Sequence, residues 1–408
     1  MKLLNVDTVE EVKQKIDHYF EHFHIGTEVI NITEALDRIL SEDVYASIDL
    51  PEFNRSTVDG YAVVSKDTFG VNESLPTFLE VVGKVEMGEN TTLSIISGQA
   101  AYVPTGGMIP IGADGVVMIE YVENLDNKTI AVYHPVAPGD GIIKKGEDIK
   151  NNSLLLSKGR KLKSQDIGAL AAVGVDKVKV FKKIKTAIIS TGDEIVDITC
   201  KVKLGQIRDI NTYSLSAMVI KMGGEVTKKI VVEDNYETLR DIVKMAIKEN
   251  DFVVISGGSS VGEKDLTEKV IDSFGDVGVF VNGVSIKPGK PTIIGKVENT
   301  AIFGLPGHPV SAIVVFRLFG GYLRDKVFSI NEKKIGIYAI CDANIHSSEG
   351  KETYQMVRIE EKDNEYIAKP IHGKSGAISL MTKAEGYIKI DTNKEGVKKG
   401  EKVKVILL

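Results

Sequence analysis

Between residues 186 and 320 the sequence alternates strictly between short apolar runs rich in β-formers and longer stretches of helical period. The strand-like runs are TAIIS, EVTKKIVV, DFVVIS and TAIFGL; the helix-like stretches are NTYSLSAMVIKM, NYETLRDIVKMAIKE and KDLTEKVIDSF. A hairpin returns a strand antiparallel, whereas a parallel neighbour needs a crossover, usually a helix. The alternation therefore predicts an open α/β domain on a parallel sheet. It also fixes where a ligand would sit, at the carboxyl ends of the strands beside the helix N-termini.

The chain's 408 residues exceed what one core usually serves, so further domains are expected. From Thr8 to Phe23 apolar residues recur at three- and four-residue steps, and Thr8 followed by Glu11 predicts a capped amphipathic helix. A shorter helix is predicted over 33–40, TEALDRIL. Residues 45–145 are β-rich and broken by Gly and Pro, which predicts a small β module. The segment 164–181 reads as a helix and a strand, and 330–408 is β-like again.

Composition excludes several classes of function. Hydrophobic residues make up 43% and charged residues 26%, as in a folded soluble protein. A net charge of −6 without any concentrated basic block argues against nucleic-acid binding. Cys200 and Cys341 are far apart and in no CxxC, so neither a disulfide framework nor a zinc site is expected. The start MKLLNVDTVEEVKQ becomes charged too early for a signal peptide, and no run reaches membrane length. A cytoplasmic protein without membrane contact is the expectation.

Three motifs fall on the ligand-binding rim of the α/β domain: TGDEI (191–195), SGGSSVGEKD (256–265) and PGHPVS (306–311). They place Thr191 and Gly192, then Ser256, Gly257, Gly258 and Ser259, then Pro306 and Gly307 at strand ends, where free N–H groups favour an anion. Each alone is compatible with ordinary turn chemistry. The rim also carries Asp193, Glu194, Asp209, Asp234 and Asp265, with Asn211 beside them, and KPGKP supplies Lys287 and Lys290. Acidic side chains beside phosphate loops commonly hold Mg²⁺; the plain alternative for Asp234 and Asp265 is helix capping. Outside this domain PEFNRSTVDGYAV (51–63) groups Arg55, Ser56, Thr57 and Asp59 in a polar loop.

In order along the chain, PEFNRSTVDGYAV, VPTGGMIPIGADGVV, KKGEDI, STGDEI, ISGGSSVGEKD, IKPGKP and GLPGHPVSAI resemble the motifs of molybdopterin molybdotransferases, the group that includes the gephyrin E-domain. The resemblance covers essentially the whole chain. Adenylyltransferases of molybdopterin resemble only the α/β part and usually carry GGTG, where this chain has GGSSVGEKD. The resemblance implies a homodimer of four-part subunits. Residues 1–44 and 146–180 would form a discontinuous linking domain, 45–145 a β-rich domain, 181–329 the molybdopterin-binding α/β domain and 330–408 a C-terminal β-barrel. It implies insertion of molybdate into adenylylated molybdopterin with Mg²⁺-dependent release of AMP, in a cleft shared between subunits.

By motif, Asp59, Thr105, Asp148, Glu194 and Asp265 match functionally important positions of that family. Lys287, Lys290, Pro306 and Pro309 match its lysines and prolines. Ser311, Arg358 and Ser375 are the candidates for an oxyanion site, with Glu194, Asp234 and Asp265 as metal ligands. His308 stands where Asn is commoner, and 57–58 are Thr-Val where Ala-Met is usual. A molybdopterin adenylyltransferase and cofactor-accepting enzymes are the further partners implied. The competing readings are a non-catalytic molybdopterin-binding scaffold, a tungstate-preferring paralogue, and the adenylyltransferase activity itself. Molybdate and tungstate are not distinguished by any motif.

Overall fold

The computed structural model describes residues 6–126, 128–257, 264–331 and 335–408. Its central sheet has six strands in the order Glu225–Val232, Lys185–Thr191, Phe252–Gly257, Thr300–Leu305, Ile293–Val297, Gly278–Asn282. The first four are mutually parallel, as the alternation requires, and Ile293–Val297 runs against both of its neighbours. The sheet is thus mixed at one edge, a refinement of the parallel expectation. The last two strands carry no crossover helix before Thr300, so the alternating pattern did not reveal them.

Both faces of this sheet are covered, which is why its inner strands are buried along nearly their whole length. Ile188, Val254 and Phe303 face Leu215 and Val219 of the helix Asn211–Lys221 and Phe316 beyond the helix Pro309–Val315. Ala187, Ile189, Val253 and Ile302 point the other way, against Leu239 and Val243 of Tyr236–Glu249 and Val270 and Ile271 of Lys264–Asp272. The first helix, Val9–Tyr19, packs Val12 and Ile16 into the former face, far from it in sequence. It starts as predicted: Thr8 Oγ1 accepts from Glu11 N–H at 3.2 Å and Glu11 Oε2 accepts from Thr8 N–H at 2.8 Å.

The predicted helix over 33–40 is not formed. One 3₁₀ turn, Ile32–Glu34, is followed by Asp37 at φ 62°, and Leu40 then bridges to Val180. Fully buried Leu40 packs with Leu162 and Val180, so extended pairing overrides the helical spacing. Neighbouring chain pairs similarly: Thr27–Asn31 lies antiparallel to Lys177–Phe181, and Val44–Tyr45 to Leu154–Leu156. The helix Ser164–Ala172 carries Asp166, which is 3% exposed, accepts from Lys163 N–H and meets Arg160 at 2.7 Å. Burial pushes the Asp166 carboxyl up, but Arg160 and the Lys163 N–H outweigh it and hold the group below its ordinary value. Its stabilisation is therefore present above the unfolded carboxyl value and lost as pH falls through the lower folded one. Asp166→Asn is expected to cost about 2 kcal/mol or more at neutral pH, with the deficit narrowing in acid; denaturant titrations at both pH values check this.

The β module is a six-stranded sheet ordered Gly115–Met118, Gly60–Val63, Gln99–Val103, Thr77–Lys84, Thr129–Val132, Val122–Asn124. At the C-terminal end, Glu352–Lys362 pairs with Glu365–Pro370 and with Gly386–Ile390. Lys402–Leu407 joins Gly386–Ile390 to Gly336–Cys341, which returns to Glu365–Pro370. This ring of five strands is the expected β-barrel, and closure leaves none of its strands unpaired on a side. Its core holds Val357, Ala368, Ile388, Val405 and Cys341. Ile286–Lys287 of the α/β region adds to the barrel wall in parallel, Ile286 opposite Glu352 and Lys287 opposite Thr353. No helix among the described residues is long and apolar enough to cross a membrane.

Candidate active site: a glycine rim and a cationic cleft

The rim lies at the carboxyl ends of the parallel strands. Ser190, on Lys185–Thr191, donates to Asp209 Oδ1 at 3.0 Å and meets Thr212 Oγ1 at 2.9 Å; Thr212 N–H also bonds Asp209 Oδ1. Asp209, 4% exposed, is thus committed to holding the entry of the Asn211–Lys221 helix. Asn211 Nδ2 donates to Ser256 Oγ and to Gly307 O, both at 2.7 Å. One amide therefore ties two of the three predicted rim motifs together. Among the described residues its buried Oδ1 has no hydrogen-bond partner, leaving an acceptor for a ligand donor.

Gly257 stands opposite Thr191 in the sheet with φ 156°. A Cβ there would fall 2.2 Å from both Thr191 O and Thr191 Oγ1, so no other residue fits without moving a main chain. Gly257→Ala is expected to destabilise by about 3 kcal/mol or more, checked by thermal unfolding. Gly258 and Ser259 lie outside the described residues, as does the side chain of Asp265. Of the acidic candidates, Asp193 accepts from Asp234 N–H at 3.1 Å, linking the ends of two neighbouring strands. A Cβ at Gly192 would lie 2.9 Å from Glu194 Oε2, so that carboxylate folds back over the strand end. Among the described residues no three His, Cys, Asp or Glu side chains gather as a metal site.

Beside the rim opens a cleft of about 940 Å³ between the α/β region and the barrel. Lys287, Lys290, Pro306, His308, Ser311 and Ser375 line it, joined by Asn344, His346, Lys351, Gln355, His372 and Lys374. The KPGKP elbow is fixed by its main chain: Lys290 O accepts from Val284 N–H at 3.0 Å and Thr292 N–H at 2.9 Å, and Gly289 O accepts Thr292 Oγ1 at 2.6 Å. Barrel addition anchors its other end, where Ser285 O accepts Glu352 N–H at 3.0 Å. Glu352 is itself buried between Lys389 at 2.8 Å and the Tyr354 hydroxyl. Burial and that carboxylate push the Tyr354 phenol far up, so it remains a donor at neutral pH.

Four lysines and three histidines line this cleft, and no Asp or Glu does among the described lining residues. Lysines without carboxylates beside them suit an anion, with Ser and amide groups available as directional donors. Arg358 does not line it; that residue is exposed on the barrel wall opposite Lys369, and Tyr354, Gln355 and Met356 face the cleft instead. The barrel residues Asn344, His346, Lys351 and His372 were not singled out in the sequence, because no local pattern marks loops that meet only when the barrel closes. Neither cysteine lines the cleft; Cys341 is buried in the barrel core, which pushes its thiol up.

The remaining candidates gather on the β module. Asp59 Oδ1 accepts Thr105 N–H at 2.8 Å, and Ser56 O accepts Gly106 N–H at 2.7 Å. Arg55–Ser56 pairs with Ile142–Ile143, and Asp148 N–H bonds Leu50 O at 3.0 Å, so the loops of Asp59, Thr105 and Asp148 hang together. Ser56 is buried and its hydroxyl donates to Val58 O at 2.5 Å, so it shapes the turn that presents Asp59.

A glycine-rimmed α/β domain beside a lysine-lined cleft and a β-barrel, with a β-rich module, defines a multidomain protein whose cleft suits an anion. Residues 7–174 match the MoeA N-terminal region (domain I and II), 187–325 the probable molybdopterin binding domain, and 338–408 the MoeA C-terminal region (domain IV). A putative molybdopterin biosynthesis protein of Methanocaldococcus jannaschii is 36% identical over 97% of this chain and 96% of its own length. A molybdopterin molybdenumtransferase of Haemophilus influenzae is 33% identical over 94% of each chain. The crystal structure of a molybdopterin biosynthesis MoeA protein from Pyrococcus horikoshii OT3 superposes with a TM-score of 0.82 at 30% identity, covering 99% of this chain and 100% of that one. The chain belongs to the molybdopterin molybdenumtransferase family and is, by that membership, a transferase.

Proposed function

We propose that this protein inserts molybdate into adenylylated molybdopterin, releasing AMP in a Mg²⁺-dependent reaction to give molybdenum cofactor. The observation that carries the reading is the juxtaposition of two unlike anion sites. The glycine rim offers main-chain donors and the open acceptor of Asn211, suited to a nucleotide conjugate. The adjoining cleft offers lysines without carboxylates, suited to a tetrahedral dianion. Pro306 and His308 line the cleft while Gly307 between them bonds Asn211 of the rim, so the two sites share a wall.

We assign Glu194, Asp234 and Asp265, whose carboxylates are hard oxygen donors, to Mg²⁺; they would hold the ion. When bound, the ion would supply positive charge that offsets the charge of the phosphates. Lys287 and Lys290 orient the oxyanion and stabilise charge that builds on it. Asp59, Thr105 and Asp148 sit on a module that pairs within itself, and we assign them to the rim of a second subunit in a homodimer. The test is incubation with adenylylated molybdopterin and Mg²⁺, with and without molybdate. AMP release coupled to active cofactor supports the reading; nucleotide that stays intact in every mixture overturns it.

A further inference from the structure

We infer that His308 is an interdomain clasp that sets the affinity of the cleft for its oxyanion, an inference that rests on the reading just given. His308 precedes the helix Pro309–Val315, yet its side chain makes no capping bond to that helix. Its Nδ1 instead meets the Ser375 hydroxyl of the barrel at 2.9 Å. The carbonyl of the same serine accepts Val310 N–H at 3.2 Å, so the barrel loop satisfies a helix-end donor that His308 leaves open. Gly376 lies over the ring: a Cβ there would sit 3.5 Å from His308 Cδ2, close enough to pack but not to clash.

These two bonds grip one residue from the side chain and the main chain of a single turn. Ser375 closes a loop whose preceding residues, His372 and Lys374, line the cleft. Releasing the clasp frees that wall and scatters the donors it presents, while the rim keeps its own Asn211, Ser256 and Gly257 bonds. His308 is thus a positioning residue for the oxyanion and not for the nucleotide. Asn at this position places its amide as far along the side chain as Nδ1 and preserves the clasp; Ala removes it.

The experiment titrates the full-length protein with molybdate by calorimetry and, separately, with AMP. His308→Ala is expected to weaken molybdate about three- to tenfold, the size of one hydrogen bond, with AMP affinity within about twofold of the parent. Ser375→Ala should do the same, the double variant should do no more than either alone, and His308→Asn should bind as the parent does. Unchanged molybdate affinity in both single variants overturns the clasp while leaving the transferase reading intact. Additive effects, or equal losses for AMP and molybdate, overturn it as well, since they denote independent or merely structural roles. A parent protein that binds neither ligand removes both readings together.

Discussion

Mixing two inactive variants is expected to restore activity that neither has alone. Asp59 lies on the β module and Glu194 on the α/β rim, and among the described residues no strand of the one pairs with a strand of the other. If a working site takes its β module from one subunit and its rim from the other, Asp59→Asn and Glu194→Gln homodimers each carry two damaged sites. A mixed dimer carries one site with both lesions and one with neither. Random exchange makes half the dimers mixed, so activity should recover to about a quarter of the parent's. Each variant alone should fall to about 1% or less, the scale of losing a charged group in a preorganised site. Turnover measured after dissociation and remixing decides; no recovery places Asp59 and Glu194 in sites made within one chain.

The second large effect belongs to the KPGKP elbow. Lys287→Ala and Lys290→Ala should each lower turnover by about 10²- to 10³-fold. The elbow holds its shape through Lys290 O, Gly289 O and the pairing of Ile286–Lys287 with the barrel, all main-chain features that survive loss of the ammonium groups. Folding stability should therefore change little, which separates lost charge from lost structure. Steady-state kinetics with molybdate as the varied substrate, beside thermal unfolding, check this. Arg in place of either lysine keeps the charge but not the compact point geometry, and should recover only part of the loss.

The sequence made the α/β core legible because its buried strands and amphipathic helices obey two distinct periods. Val12 and Ile16 were equally plain, and the Thr8–Glu11 cap marked where their helix begins. The stretch 33–40 misled because Ala35, Ile39 and Leu40 share a helical spacing, and the deciding partner, Val180, lies far along the chain. Ile293–Val297 was silent for a related reason: a tight turn with Glu298 at φ 52° joins it to Thr300–Leu305, leaving no crossover to read.

At the site, residues fixed by local geometry were legible and those fixed by assembly were not. Gly257 and the KPGKP lysines declare themselves through backbone demands and charge. Asp209 and Ser56 were read as ligand groups, but the structure turns their side chains to internal bonds. Arg358 followed a motif onto the barrel, where strand direction carries it away from the cleft. His346 and His372 enter the cleft only because the barrel closes, a long-range event that no window of sequence records.

Crystals grown with adenylylated molybdopterin and tungstate, measured at the tungsten absorption edge, put the whole account at risk at once. The predicted result is an anomalous peak inside the cleft within reach of Lys287 and Lys290, with the adenylate along Asn211, Ser256 and Gly257. A peak elsewhere on the molecule, or a nucleotide bound away from that rim, would contradict it.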